Sequence, residues 1–375
     1  MKANAVSKTN PWLFLFAVLT AFFTFLLLGL GGLVTSHEAG MSVPDWPNTY
    51  GNNMFLFPPA QWIGGIFYEH THRLLASAVG LMTTILAVWL WLKDSRQWMH
   101  WLGVAAFLLV VAQGVLGGLR VTMHMDSLGI YHATIAQLFF VLTCALALFT
   151  SRWWVAQASR LPDRTNAQNA AGTAALRWLV LGTTILIFVQ LIIAAAMRHQ
   201  HAGLAISDFP LAHGKLWPDT GADAIARYNA QRVSINAENP ITAFQIELQM
   251  AHRVVALAIL ICVGAVAWRV RSSGFSRSKP PEGGTPNALR QLSFVWFALI
   301  LLQVGLGAAT IWSNKAADVA TAHVLVGALA LAVGALWCVI AFRESVAAVC
   351  DRRTEDRRSP GAATMGAQPA MTGNK

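Results

Sequence analysis

The chain has 375 residues, 55% of them hydrophobic and only 12% charged, against a charged share of roughly 25% in ordinary soluble domains. That balance excludes a soluble globular enzyme, a disordered chain, a collagen-like repeat and a disulfide scaffold. The net charge of +10 calls for no nucleic-acid partner, because Lys and Arg collect in the cytoplasmic loops of membrane proteins.

A helix crosses the hydrocarbon layer with about 20 apolar residues. Windows of that length run at 12–34, 67–92, 98–120, 128–151, 175–197, 244–270, 288–312 and 318–342, and they predict an all-α integral membrane protein with eight transmembrane helices. The first window follows Lys2 and Lys8, but it is longer than a signal-peptide core and has no A-x-A site, so it reads as a retained span. Of the 27 Lys and Arg residues, nineteen lie on the side of the N-terminal segment, the connections after the second, fourth and sixth spans, and the C-terminal tail. Both termini are therefore expected in the cytoplasm. Residues 343–375, with Arg352, Arg353, Arg357 and Arg358 followed by Gly, Ala, Thr and Pro, lack hydrophobic periodicity and are predicted to be disordered. Cys144, Cys262 and Cys338 fall in apolar runs and Cys350 in the tail; with no CxxC spacing, neither a disulfide nor a zinc site is indicated.

Residues 12–151 laid over 175–342 repeat at the helix ends. Gly40-Met41-Ser42-Val43-Pro44-Asp45-Trp46-Pro47 follows the first span, and Gly203-Leu204-Ala205-Ile206-Ser207-Asp208-Phe209-Pro210 follows the fifth. Glu69-His70-Thr71-His72-Arg73 opens the second span and Gln249-Met250-Ala251-His252-Arg253 the sixth. Gln113-Gly114-Val115-Leu116-Gly117-Gly118 parallels Gln303-Val304-Gly305-Leu306-Gly307-Ala308, and His132 and His323 follow those glutamines. Matching polar landmarks in the same order predict a parallel duplication: an N-terminal four-helix bundle (1–151), a cytoplasmic linker (152–174), a C-terminal four-helix bundle (175–342) and the tail (343–375).

Most of the eleven histidines have ordinary explanations. His100 lies on the cytoplasmic side, and His37, His124, His199, His201 and His213 fall in outer loops where an imidazole is simply solvated; His70 has no second-half equivalent. His72, His132, His252 and His323 form two repeat-related pairs near the outer ends of spans, and ionisable residues within a membrane are functional candidates. Two facing imidazoles suit haem iron, which needs two axial nitrogens, whereas zinc would need four ligands. Gly114, Gly117, Gly118, Gly305 and Gly307 would let a flat macrocycle or a neighbouring backbone approach. Arg73 and Arg253 are candidate partners for haem propionates, with interfacial snorkelling as the plainer explanation. Glu69 lies three residues before His72, on its face of the helix, where the second half has neutral Gln249. Only the first half then offers a carboxylate able to stabilise positive charge or accept a proton.

Glu69-x-x-His72-Arg73, with His132, the His252-Arg253 pair, His323, the duplicated eight-span layout and the Pro-Asp-Trp-Pro loop at 44–47, resembles the haem A synthase family. The resemblance covers about 12–342. It implies oxidation of the C8 methyl group of the substrate haem O to the formyl group of haem A, for cytochrome c oxidase assembly. His72 and His132 would be axial at the haem O site, His252 and His323 would ligate a haem b cofactor, and Glu69 would be the catalytic acid. Two oxidations at one methyl carbon, each removing two electrons, would give an alcohol and then a geminal diol that loses water to the aldehyde. The resemblance further implies location in the inner (cytoplasmic) membrane among membrane lipid, haem O synthase as a donor, an electron carrier, and a homo-oligomer. Some members of that family carry a cysteine pair in an outer loop; this chain has none there. The competing readings are a di-haem b membrane cytochrome for quinone-linked electron transfer, which gives Glu69 no task, and a parallel-repeat transporter, which would place its histidines near the bilayer midplane.

Overall fold

The structure is a computed structural model that describes residues 10–158, 170–231, 240–272 and 285–358. Its helices are α1 (Pro11–Ser36), α2 (Gly64–Lys93), α3 (Gln97–Thr122), α4 (Leu128–Thr150), α5 (Arg152–Ala158), α6 (Ala170–His199), α7 (Ala222–Ala230), α8 (Ala243–Ser272), α9 (Thr285–Trp312) and α10 (Ala317–Arg358). All but the short α5 and α7 are long and apolar enough to cross a membrane. Among the described residues there is no β-strand, only two isolated bridges.

Local chemistry sets the helix ends. Asn10 caps α1 by accepting from the backbone N–H groups of Trp12 and Leu13, with Pro11 at the first helical position, where its missing N–H is harmless. Between α2 and α3, Asp94 accepts from the Arg96 backbone N–H (2.9 Å) and pairs with its guanidinium (2.6 Å). That closes a turn of three residues.

α1–α4 form one ring of contacts, and α6, α8, α9 and α10 form a second; α1 and α4 of the first pack against α10 and α6 of the second. The apolar core is continuous through both rings, from Leu13 and Leu86 to Trp296 and Trp337. The outer loops repeat in atomic detail. Asp45 accepts from the backbone N–H groups of Tyr50 (2.8 Å) and Gly51 (2.7 Å), and Asp208 from those of His213 (2.7 Å) and Gly214 (2.8 Å). Trp46-Pro47 and Phe209-Pro210 are both cis. Gly51 (φ 73°) and Gly214 (φ 76°) occupy the left-handed region at the same place in each loop, where glycine is unstrained.

One expectation needs correction. The segment from 343 is helical as far as Arg358 rather than irregular, because its Ala, Glu and Arg residues are strong helix formers; residues 359–375 lie outside the described set. The long connection 198–243, for which the sequence gives no structural expectation, is ordered where it is described: Ala205, Ile206, Ala212 and Ile241 form a small core with Ile246 and Met250 of α8. There Asn229 of α7 accepts from the Ile241 N–H (2.7 Å) and donates to its carbonyl (3.0 Å). Arg232 and residues 159–169 of the expected linker lie outside the described residues.

Candidate haem sites

The four histidines stand near the N-terminal ends of α2, α4, α8 and α10. In the C-terminal ring, the His252 and His323 rings face each other with centroids 6.4 Å apart. An iron bound at about 2 Å by one nitrogen of each ring would separate the ring centres by roughly 6 Å, so the observed separation fits a single metal between them. Gln303 Nε2 lies 3.4 Å from His323 Nε2. In the N-terminal ring, His72 packs on Gly31 of α1 and His132 on Gly117 of α3.

Glycines admit the rings. A Cβ would lie 3.3 Å from His72 Cε1 at Gly31, 3.4 Å from His132 Cε1 at Gly117, and 3.2 Å from His323 Cε1 at Gly307. One turn before each glycine a backbone carbonyl faces the same imidazole: Leu27 for His72, Gln113 for His132 and Gln303 for His323. Metal-bound imidazoles commonly present their second nitrogen to such a group, which fixes the tautomer. None of these contacts has hydrogen-bond geometry, and Nδ1 of all four rings is buried without a partner. Polar atoms orphaned in apolar surroundings are costly, and imidazoles oriented by ligation would account for them. Among the described residues no three His, Cys, Asp or Glu side chains come together. A protein-only metal cage therefore has no ligand set there, whereas a porphyrin iron needs only a pair. The residues fit haem.

Glu69 is buried beside His72. Its Oε1 accepts from Arg73 NH2 (2.6 Å) and its Oε2 from the Val43 N–H (2.8 Å). Gln249 repeats half of this: its Oε1 accepts from the Ile206 N–H (2.7 Å), while its Nε2 donates to the carbonyls of Gly203 (3.3 Å) and Ile206 (3.2 Å). Residue 69 or 249 thus pins the Pro loop through the same backbone amide in both halves, and only the first half adds a negative charge.

Arg73 and Arg253, expected to meet propionates, hold the loops. Arg73 donates to the carbonyls of Asp45 (2.6 Å), Asn48 (3.1 Å) and Val43 (2.9 Å). Arg253 donates to those of Leu211 (2.8 Å) and Asp208 (2.7 Å) and lies over the Phe209 ring; its Nε is buried without a partner. In the first loop, burial pushes the Asp45 carboxyl up, but the N–H groups of Gly51 and Tyr50, with the Arg73 charge, outweigh this and hold it below the usual carboxylate range.

Other histidines depart from expectation as well: His199 packs onto Gly129 at the start of α4, and His213 is partly buried and stacks on Tyr228 at 3.7 Å, whereas His37 is exposed as expected, though it stacks on Tyr68 at 4.1 Å. His70 is fully buried, its Nδ1 3.2 Å from Thr49 Oγ1 and its ring against Trp62 and Phe57. Sequence reasoning missed this contact because the 49–62 segment that encloses His70 has no counterpart in the second half.

Eight apolar helices in two repeated rings, each with a histidine pair near one end, define a duplicated multi-pass membrane protein. Residues 64–334 match the family described as cytochrome oxidase assembly protein (COX15-CtaA), and the chain belongs to that family. It is 26% identical over 372 residues to a heme A synthase of Rhizorhabdus wittichii, covering 90% of this chain and 93% of that one. A heme A synthase of Agrobacterium fabrum is 28% identical over 341 residues (80% and 82%), and one of Geobacillus kaustophilus is 25% identical over 307 residues (80% and 81%).

Proposed function

We propose that this protein is a haem A synthase, which oxidises the C8 methyl group of haem O through two two-electron steps to the formyl group of haem A for cytochrome c oxidase. The observation that carries the reading is the pairing of like histidine sites with unlike neighbours: one acid, Glu69, beside His72, and neutral Gln249 at the matching place. His72 and His132 would hold haem O, and His252 and His323 a haem b. Haem b would supply one-electron redox chemistry when bound.

The chain's own residues provide placement and charge. The apolar walls exclude water, and the glycines set the depth of the imidazoles. Two donors fix Glu69, so its task is a stationary negative charge that favours positive charge developing at the methyl carbon; such preorganised charge costs no reorganisation during the reaction. The enzyme would sit in the inner (cytoplasmic) membrane with both termini in the cytoplasm, as the Lys and Arg distribution favours. It would receive haem O from haem O synthase, exchange electrons with a carrier, and work as a homo-oligomer. Extraction and separation of the non-covalent haems from the purified protein tests the reading. Haem b together with O or A is expected; haem b alone would overturn the synthase in favour of a di-haem cytochrome.

A further inference from the structure

Two arginines outside the repeated motifs meet where the rings join. Arg198, at the end of α6, reaches across the junction so that its NH2 donates to the Gly32 carbonyl (2.6 Å) and to Ser36 Oγ (3.5 Å) of α1. Arg120 lies in the last turn of α3, three residues beyond the Gly117 that receives the His132 ring; its NH2 donates to Asp126 (3.0 Å), its guanidinium rests against Gly40, and its Nε is buried without a partner. Both lie close to the imidazoles: Arg198 bonds Gly32, which adjoins the Gly31 that meets the His72 ring and itself packs on Thr321, two residues before His323, while Arg120 follows within one turn the Gly117 that meets the His132 ring.

Neutralisation is incomplete. Among the described residues, the one ion pair to either guanidinium comes from Asp126, whose side chain is 62% exposed. The fold does not require these cations, because the repeat supplies a control. Thr310 occupies the place of Arg120, and Thr35 that of Arg198; each bonds a carbonyl of its own helix, Leu306 (2.8 Å) and Gly31 (2.9 Å). Each ring therefore replaces one threonine with a guanidinium near its imidazoles, from different helices, so that both cations converge on the junction. Buried cations short of counter-charge call for an anion, and a planar guanidinium suits a carboxylate.

We propose that Arg120 and Arg198 form a carboxylate-binding station at the junction of α1, α4 and α6, which receives the propionate groups of the porphyrins held by the two histidine pairs. The proposal rests on the haem reading above. It moves the propionate role from Arg73 and Arg253, whose terminal nitrogens hold the loops, to the two arginines at the junction.

The test is a titration of the haem-depleted full chain with haem b and, separately, with its dimethyl ester, followed by Soret absorbance. Arg120→Gln and Arg198→Gln should each weaken binding of the free acid about tenfold, leave ester binding unchanged, and be largely rescued by Arg→Lys at the same position. Equal loss for acid and ester would overturn the proposal and make the arginines struts of the junction. Unchanged haem affinity, with less co-purifying phospholipid phosphorus in the variants, would overturn it in favour of a lipid phosphate. Failure of the unaltered chain to give a bis-imidazole spectrum with either compound would remove the haem reading itself, a result distinct from the other two.

Discussion

The two rings repeat the same polar landmarks at their helix ends and differ at a few of them. Both pin a cis-Pro loop with Asp45 or Asp208, with Arg73 or Arg253, and with the residue three before the first histidine of the pair. At that last position the first ring carries a carboxylate and the second an amide, and both accept a hydrogen bond from the same loop N–H. A structural need shared by both rings is thus met by either side chain, and the charge, which in the first ring pairs with Arg73, is the feature that sets the rings apart. The second ring is the built-in control for the first.

That comparison can be broken most sharply at the ligands. His323→Ala should remove the C-terminal bis-imidazole haem altogether and abolish turnover, read by the low-spin spectrum and by haem A formation. A variant retaining that spectrum would dissolve the pairing. Glu69→Gln turns the first ring into the second: haem binding should persist, while conversion of haem O to haem A falls by about 10²-fold or more, the scale of a lost preorganised charge. Undiminished conversion would take Glu69 out of the chemistry.

Smaller effects test the frame. Gly307→Ala places a Cβ 3.2 Å from the His323 ring, and a shift of a few tenths of an ångström at a metal ligand should weaken haem retention severalfold, about 1 kcal/mol; dissociation measured against a haem acceptor reports it. The smallest expected effect is at Asp45. Its folded pKa is depressed, so its contribution to loop stability is present above its unfolded pKa of about 3.9 and is lost as pH falls through the lower folded value. Hydrogen exchange at the Tyr50 and Gly51 amides should be faster in Asp45→Asn than in the unaltered chain at neutral pH, and the two should converge below about pH 4.

Much of this was legible in the sequence because the signals are local and strong. Seven of the eight expected spans end within a few residues of their helices, and α10 runs on past its window to Arg358, since a run long enough to cross a bilayer has few alternatives. The histidine pairs and the Pro loops were marked by order and spacing. The loop contacts of Arg73 and Arg253 were not legible. Adjacency to a histidine suggested a shared ligand, whereas carbonyls about 28 and 45 residues upstream take their donors. The long outer loop carried no periodicity, yet it folds onto α8 through Asn229 and a few apolar contacts.

By itself the sequence determined the membrane class, the number of helices, the duplication and the depth of the four imidazoles, because each follows from hydrophobic length or from repeated spacing along one stretch of chain. Tertiary structure alone decided which buried cations are satisfied and which remain open. Arg198 and Gly32 stand 166 residues apart in the chain and 2.6 Å apart in the fold, and a partner at that separation is selected by how two rings pack, which no local pattern encodes.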